Sequence, residues 1–291
     1  MIYSRKRIIL SAGDDMGPVR IESASNDRIK LLRKLTNSSA ERRERGAFVL
    51  DGARLCRDAV RSGRVPLEVY MTPEFVSRMP DAAGEIARGC PSVFAIAGKA
   101  AAAVSATDAP QGVFAVFPLA GDKMTLDKSS FTDKINKRGV YIALENVQNP
   151  GNLGATARTA EALGADGMVI CGGCDVYSPK AQRAAMGSLL RLPVFLADGL
   201  PAALKLFDEA GMTTLASVPD ASALPVTKLG KKEGLVCAVG NEGAGLSEEA
   251  VNACRLRVTV PMAGRAESLN AAAAAAILMW ELLKPEGEPD E

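Results

Sequence analysis

Short apolar runs recur through residues 139–260 of this 291-residue chain, each followed by a loop and then by helical spacing. Val140–Leu144, Gly167–Cys171, Leu192–Leu196, Thr213–Ser217 and Leu235–Val239 carry few strongly polar side chains, and Arg257–Val260 adds a shorter run. Strands of that composition are buried on both faces, as in a mostly parallel sheet whose two sides are covered. Helices are expected over 153–163, 179–190, 200–210 and 268–283 between and after these runs. The pattern therefore predicts an α/β layered domain beginning near Gly139.

The front of the chain alternates as well. Ala47–Leu50, Leu67–Met71, Ser92–Ile96 and Gly112–Phe117 read as strands. Helices follow Asp51, taken as an N-cap, and Pro73, and another lies near 98–105. A smaller α/β domain over 19–118 is expected, and two domains suit the length at about 150 residues each. Residues 26–45 read as one or two lead helices, with Leu31, Leu32 and Leu35 as the apolar stripe and Asn26 or Ser25 as the cap. The polar, lysine-bearing stretch 119–138 reads as an interdomain linker. Residues 1–18 lack periodicity and are assigned no structure, with Met16 an alternative start, and 286–291 reads as a tail.

Composition removes several classes of chemistry. The chain has no histidine, which excludes Ser-His-Asp and Cys-His nucleophilic sites and every His-ligated metal. Of six cysteines only Cys171 and Cys174 are closely spaced, and no second pair completes a zinc site. No metal is expected. Free thiols without a secretion signal imply a reducing, cytoplasmic setting. The longest apolar run, Ala271–Trp280, is too short to span a bilayer. The net charge of +1 hides an asymmetry: residues 1–118 hold 18 Lys+Arg against 13 Asp+Glu, and the remainder is acidic. Seven basic residues, Arg28, Lys30, Arg33, Lys34, Arg42, Arg43 and Arg45, cluster in the lead helices. They are candidates for contact with a polyanion, against the alternative of a solvated helix face.

Three loops leave apolar runs and enter helices. The first is Glu145-Asn146-Val147-Gln148-Asn149-Pro150-Gly151-Asn152-Leu153-Gly154, with Arg158 six residues beyond Asn152. The second is Gly240-Asn241-Glu242-Gly243-Ala244-Gly245-Leu246-Ser247, where Ser247 is a natural cap for the helix after it. The third is Val260-Pro261-Met262-Ala263-Gly264-Arg265-Ala266-Glu267-Ser268-Leu269-Asn270, with Ser268 and Asn270 as candidate caps. Loops at the carboxyl edge of such a sheet are where α/β proteins hold ligands. Neither a GxGxxG fingerprint nor a Gly-Lys-Ser/Thr phosphate loop is present, which weighs against a nicotinamide-dependent oxidoreductase.

In order and spacing these three loops resemble the motifs of the SpoU/TrmH RNA ribose 2′-O-methyltransferases, of the trefoil-knotted methyltransferase superfamily. Asn146…Pro150-Gly151-Asn152-Leu153-Gly154…Arg158-Thr159-Ala160 is similar to the first motif. Gly240-Asn241-Glu242-Gly243…Gly245-Leu246 is similar to the second, and Val260-Pro261-Met262…Glu267-Ser268-Leu269-Asn270 to the third. Ala185-Met186-Gly187-Ser188 ahead of Arg191-Leu192-Pro193-Val194 resembles a further family segment. The likeness covers 139–284, and 47–118 resembles the family's smaller substrate-binding domain more loosely. One departure is Asn146, where many relatives carry Asp.

The resemblance implies a knotted methyltransferase domain over 139–285 and an RNA-binding domain over 19–118. It implies S-adenosylmethionine held by Gly240, Val260 and Leu269, with Ala216, Ser217, Asn241, Met262 and Asn270 nearby. Glycine at 240 would leave room for the adenine. Arg158 would orient a phosphate or stabilise the developing alkoxide, because a guanidinium stays protonated at neutral pH. Asn152 and Ser268 would position ribose and phosphate, Asn270 would brace the loop, and Glu242 is the nearest carboxylate proton acceptor. A homodimer packed through the Ala-rich last helix is implied too. The substrate expected is 23S-type ribosomal RNA. A tRNA enzyme, or a knotted RNA-binding protein without activity, remains the alternative.

Overall fold

The computed structural model describes residues 19–105, 107, 109–119, 125–129, 131–229 and 233–284. The expectations for 1–18 and for the tail lie outside the described residues. The first unit comprises Met1–Ala120 and Tyr177–Arg183, the second Gly121–Val176 and Ala184–Glu291.

In the first unit Val19–Ile21 forms β1, and the lead segment forms two helices, α1 (Asp27–Asn37) and α2 (Ser39–Arg45). Asn26 caps α1 by accepting from the Arg28 N–H at 2.9 Å, and Ser38 caps α2 from the Glu41 N–H. Then follow β2 (Ala47–Asp51), α3 (Ala53–Arg61), β3 (Glu68–Met71), α4 (Pro73–Arg78), α5 (Pro80–Ala87), β4 (Val93–Ile96), α6 (Gly98–Val104) and β5 (Val113–Pro118). The sheet order is β1-β4-β3-β5-β2, with β5 antiparallel to both its neighbours and the other pairs parallel. Ile29, Leu32 and Leu35 of α1 pack on Val49, Tyr70, Phe94 and Phe114 of this sheet. Asp51 does not cap α3. Gly52 intervenes with φ +104°, the Ala53 N–H donates to Gln111 Oε1 instead, and Asp51 accepts from Ser105.

The second unit opens with α7 (Phe131–Lys134) and continues through β6 (Val140–Glu145), α8 (Pro150–Leu163) and β7 (Gly167–Cys171). Helix α9 (Pro179–Ala185) begins within the residues grouped with the first unit, and α10 (Ser188–Arg191), β8 (Val194–Ala197) and α11 (Leu200–Glu209) follow. The rest is β9 (Thr213–Ser217), β10 (Leu224–Pro225), β11 (Leu235–Val239), α12 (Glu248–Asn252), β12 (Leu256–Thr259) and α13 (Ala271–Leu283). Seven strands pair in the order β10-β12-β9-β11-β6-β7-β8, every pair parallel. Every residue of β6, β7 and β11 is buried.

Two expectations need correction here. The described part of 119–138 is not a free linker: Leu126, Phe131 and Ile135 are buried in the second unit's core, and Thr125 bridges to Leu196. Three spaced apolar residues anchor a stretch whose other side chains are mostly polar. The helix expected over 179–190 is two pieces, broken where Met186 (φ 52°) and Gly187 (φ 91°) turn left-handed. Among the described residues no helix is long and apolar enough to cross a membrane.

Candidate active site

Four adjacent strands, β12, β9, β11 and β6, point their carboxyl ends the same way, because the sheet is parallel. The three loops picked out by the sequence leave β6, β11 and β12 and are thereby gathered on one edge. They are tied together by side chains rather than by packing alone. The Glu242 carboxylate accepts from the N–H groups of Gln148 (3.2 Å) and Asn149 (3.1 Å) and from Asn152 Nδ2 (2.8 Å). Asn152 is itself buried, and its Oδ1 accepts from Asn270 Nδ2 at 3.1 Å. Asn270 Oδ1 caps α13 by accepting from the N–H groups of Ala272 and Ala273. One chain of hydrogen bonds thus joins all three loops.

A second tie runs beside it. Asn241 Nδ2 donates to the Asn146 carbonyl at 2.8 Å, while Asn241 Oδ1 accepts from the Gly243 and Ala244 N–H groups. Asn146 has φ 51°, a left-handed conformation that Asn tolerates better than most residues, so the amide there suits the turn. Buried Glu145 accepts from the Ser247 N–H (2.7 Å) and hydroxyl (2.8 Å), fixing the end of the glycine loop. Glu145 was not among the residues singled out. Its signal in the sequence is a carboxylate that closes an apolar strand run and opens the first loop. Partial burial works against the charged form of Glu242. The bonds from Asn152 and from the backbone N–H groups outweigh it and hold the carboxyl below its ordinary range.

Between the second and third loops and Ser217-Val218-Pro219, at the end of β9, lies a cleft of about 270 Å³. Of the residues expected to hold a cofactor, Ser217, Gly240, Asn241, Val260, Met262 and Leu269 line it, as do Glu242 and Ser268. Ala216 does not: it is buried within β9, paired between Ala238 of β11 and Arg257 of β12. Gly240 is required for a different reason from the one expected. A Cβ there would stand 2.0–2.2 Å from backbone atoms of Gly245 and Leu246, so the loop's own closure excludes a side chain before any ligand does. Ser268 is exposed and precedes α13 without capping it; Asn270 is the cap.

Arg158 stands apart. Six residues along α8 from Asn152 it has turned about 240° around the helix. It is exposed, outside the cleft lining, and makes no hydrogen bond or ion pair among the described residues. Its guanidinium is therefore not committed to a structural ion pair among the described residues.

The lead-helix cations divide in the same way. Arg42 is 4% exposed and donates to the Leu35 and Thr36 carbonyls, so it belongs to the fold and is removed from the RNA-contact candidates. Arg28 pairs with Glu68 at 2.6 Å and lies 4.4 Å over the Phe94 ring. Lys30 pairs with Asp27, and both Lys34 and Arg45 with Glu41. Arg33 and Arg43 are exposed and have no such partner among the described residues.

The cleft fits a nucleoside-bearing cofactor. Leu246, Val260, Leu269 and Ala274 supply apolar wall for a flat base, and the peptide groups of the 240–245 turn supply polar edges.

Residues 139–280 match the SpoU rRNA Methylase family and residues 26–115 the MRM3-like substrate binding domain. A 23S rRNA (guanosine(2553)-2′-O)-methyltransferase, RlmP, of Bacillus subtilis is 31% identical over 264 residues, covering 90% of this chain and 98% of its own. The chain belongs to the SpoU family. A 23S rRNA (uridine(2479)-2′-O)-methyltransferase of Streptomyces viridochromogenes is 32% identical over 61% of each chain. The structure of an AdoMet-bound rRNA methyltransferase from Sinorhizobium meliloti superposes with a TM-score of 0.77 at 29% identity, covering 90% of this chain and 96% of that one.

Proposed function

We propose that this SpoU-family chain is an S-adenosylmethionine-dependent enzyme that methylates a ribose 2′-oxygen in 23S-type ribosomal RNA. The observation that carries this reading is one cleft at the carboxyl edge of the parallel sheet, lined by the second and third motif loops, with the first loop hydrogen-bonded to both through Glu242, Asn152 and Asn270. When bound, S-adenosylmethionine supplies an electrophilic methyl group on a sulfonium. Ser217, Gly240, Asn241, Val260, Met262 and Leu269 would hold it, and the loop ties described above keep those groups in place before substrate arrives. Both Glu242 oxygens are already engaged by donors, so Glu242 acts as a positioning residue rather than as the proton acceptor. Ser268, exposed at the cleft, is free to contact ribose or phosphate. Arg158 has all its donors unspent and would orient a substrate phosphate or stabilise charge developing on the 2′-oxygen.

This reading includes a homodimer, a trefoil-knotted chain path and a cytoplasmic setting. The dimer is supported by an exposed apolar side of α13, where Ile277 is 39% and Trp280 53% exposed beside Ala273. The knot is supported by the sheet order, in which β12 inserts between the earlier strands β10 and β9. Exposed Arg33 and Arg43 would contribute to RNA affinity.

The test is methyl transfer from tritiated S-adenosylmethionine to ribosomal RNA from a strain lacking this protein, followed by digestion to nucleosides. Label in a 2′-O-methylnucleoside supports the reading. Label on a base, or none, contradicts it, and preferential labelling of tRNA would move the substrate.

A further inference from the structure

A second opening, of about 330 Å³, lies in the first unit against α3 and is lined by Arg54, Arg57, Asp58, Arg61 and Gln111. The three arginines recur at i, i+3 and i+7 and so share one side of the helix. Their donors are only partly used. Glu85 takes the Nε of Arg57 at 2.7 Å, and the Nε and Nη2 of Arg61 at 2.6 and 3.2 Å. A guanidinium carries five N–H donors. Arg57 therefore keeps both terminal nitrogens, and Arg61 keeps one. Arg54 is exposed and makes no hydrogen bond or ion pair among the described residues.

Glu85 thus works as an anchor. It fixes two forks by their Nε sides and leaves their outer edges available. Glu85 and Asp58 set two negative charges against three positive ones, so the opening stays cationic. This contrasts with the lead helices, where most cations already have a carboxylate or carbonyl of their own. Forked, pre-oriented guanidinium groups match the oxygens of a phosphodiester in a way that scattered surface lysines do not.

We infer that this arginine-lined opening on α3 is a binding site for backbone phosphate of the RNA substrate. The inference rests on the proposed function and adds a specific set of side chains by which the first unit grips RNA. Phosphate contacts position a substrate without reading its bases, so the site sets affinity and register rather than sequence choice.

Arg54 is the residue to change, because it supports nothing in the fold. The full-length protein and its Arg54→Ala, Arg54→Glu and Arg54→Lys variants are compared on a ribosomal RNA transcript. In Arg54→Ala the KM for RNA is expected to rise about tenfold. Its kcat at saturating RNA and its S-adenosylmethionine affinity stay at wild-type values. The slope of log affinity for RNA against log salt falls by about 0.7 to 0.9. Arg54→Glu loses more, and Arg54→Lys keeps the wild-type salt slope. Wild-type KM and salt slope in both Arg54→Ala and Arg54→Glu would overturn the inference. If the wild-type protein transfers no methyl group, the proposed function fails, and the salt slopes of binding still decide the phosphate contact. An active wild type with unchanged variants sinks the phosphate site alone.

Discussion

The gathered loops of the second unit and the lead helices of the first are both clusters of polar side chains, and the structure spends most of each cluster internally. What the spent residues hold is different. Glu242, Asn152, Asn241 and Asn270 bind loop N–H groups, a loop carbonyl and one another at the cleft, so their loss falls on the site. Arg42 and Arg28 hold helix ends and the sheet surface, so their loss falls on the fold. The residues left over, Arg158 and Ser268 in one region and Arg33 and Arg43 in the other, are the ones free to meet a substrate. A polar residue within a motif is therefore no more a contact residue than one outside it until its hydrogen bonds are accounted for.

The sharpest way to break this contrast is Arg42→Ala. Two carbonyls lose a buried charged donor, and the protein should lose about 2 kcal/mol of stability in a denaturant titration. Arg43→Ala, one residue on, should stay within about 0.5 kcal/mol. Equal losses would erase the distinction between spent and free cations.

Next in size is Glu242→Gln, which leaves three donors facing a weaker acceptor. S-adenosylmethionine affinity should fall about tenfold, and thermal stability much less. The same group carries a pH signature. Its folded pKa lies below its ordinary value of 4.5. Its stabilisation is therefore fully present above pH 4.5 and is lost as pH falls through the lower folded value. Cofactor binding by calorimetry should be flat from neutral pH down to that range and then drop. The drop should be smaller in Glu242→Gln.

The smallest effect belongs to Arg33→Ala with Arg43→Ala. The salt slope of RNA binding should fall by about 0.7 to 0.9 for each phosphate contact removed, with the fold and cofactor affinity untouched. No change in slope would reduce these cations to a solvated helix face.

Much of the architecture was legible because double-sided burial leaves a strong mark. β9 and β11 fall where their apolar runs begin and end. β1 and β10 escaped because they are three and two residues long at sheet edges, too short for any pattern to register. The split at Met186–Gly187 was hidden by good helix formers on both sides. In the site, the three loops could be read from their glycines and caps, but the order of the ties could not. That Glu242 reaches Gln148, Asn149 and Asn152 across 90 to 94 positions depends on β11 lying beside β6, which no local spacing encodes. Arg42 and Arg43 are neighbours with opposite fates, and a seven-residue helix is too short for its phase to be judged from sequence.

The central claim is that side chains holding the loops are separate from the side chain that acts on the substrate. Arg158→Ala tests it most directly, with methyl transfer to ribosomal RNA and S-adenosylmethionine binding measured on the same preparation. The account predicts a fall in kcat of at least about a hundredfold, with cofactor affinity and melting temperature at wild-type values. Near-normal turnover, or a parallel loss of cofactor affinity, would contradict it.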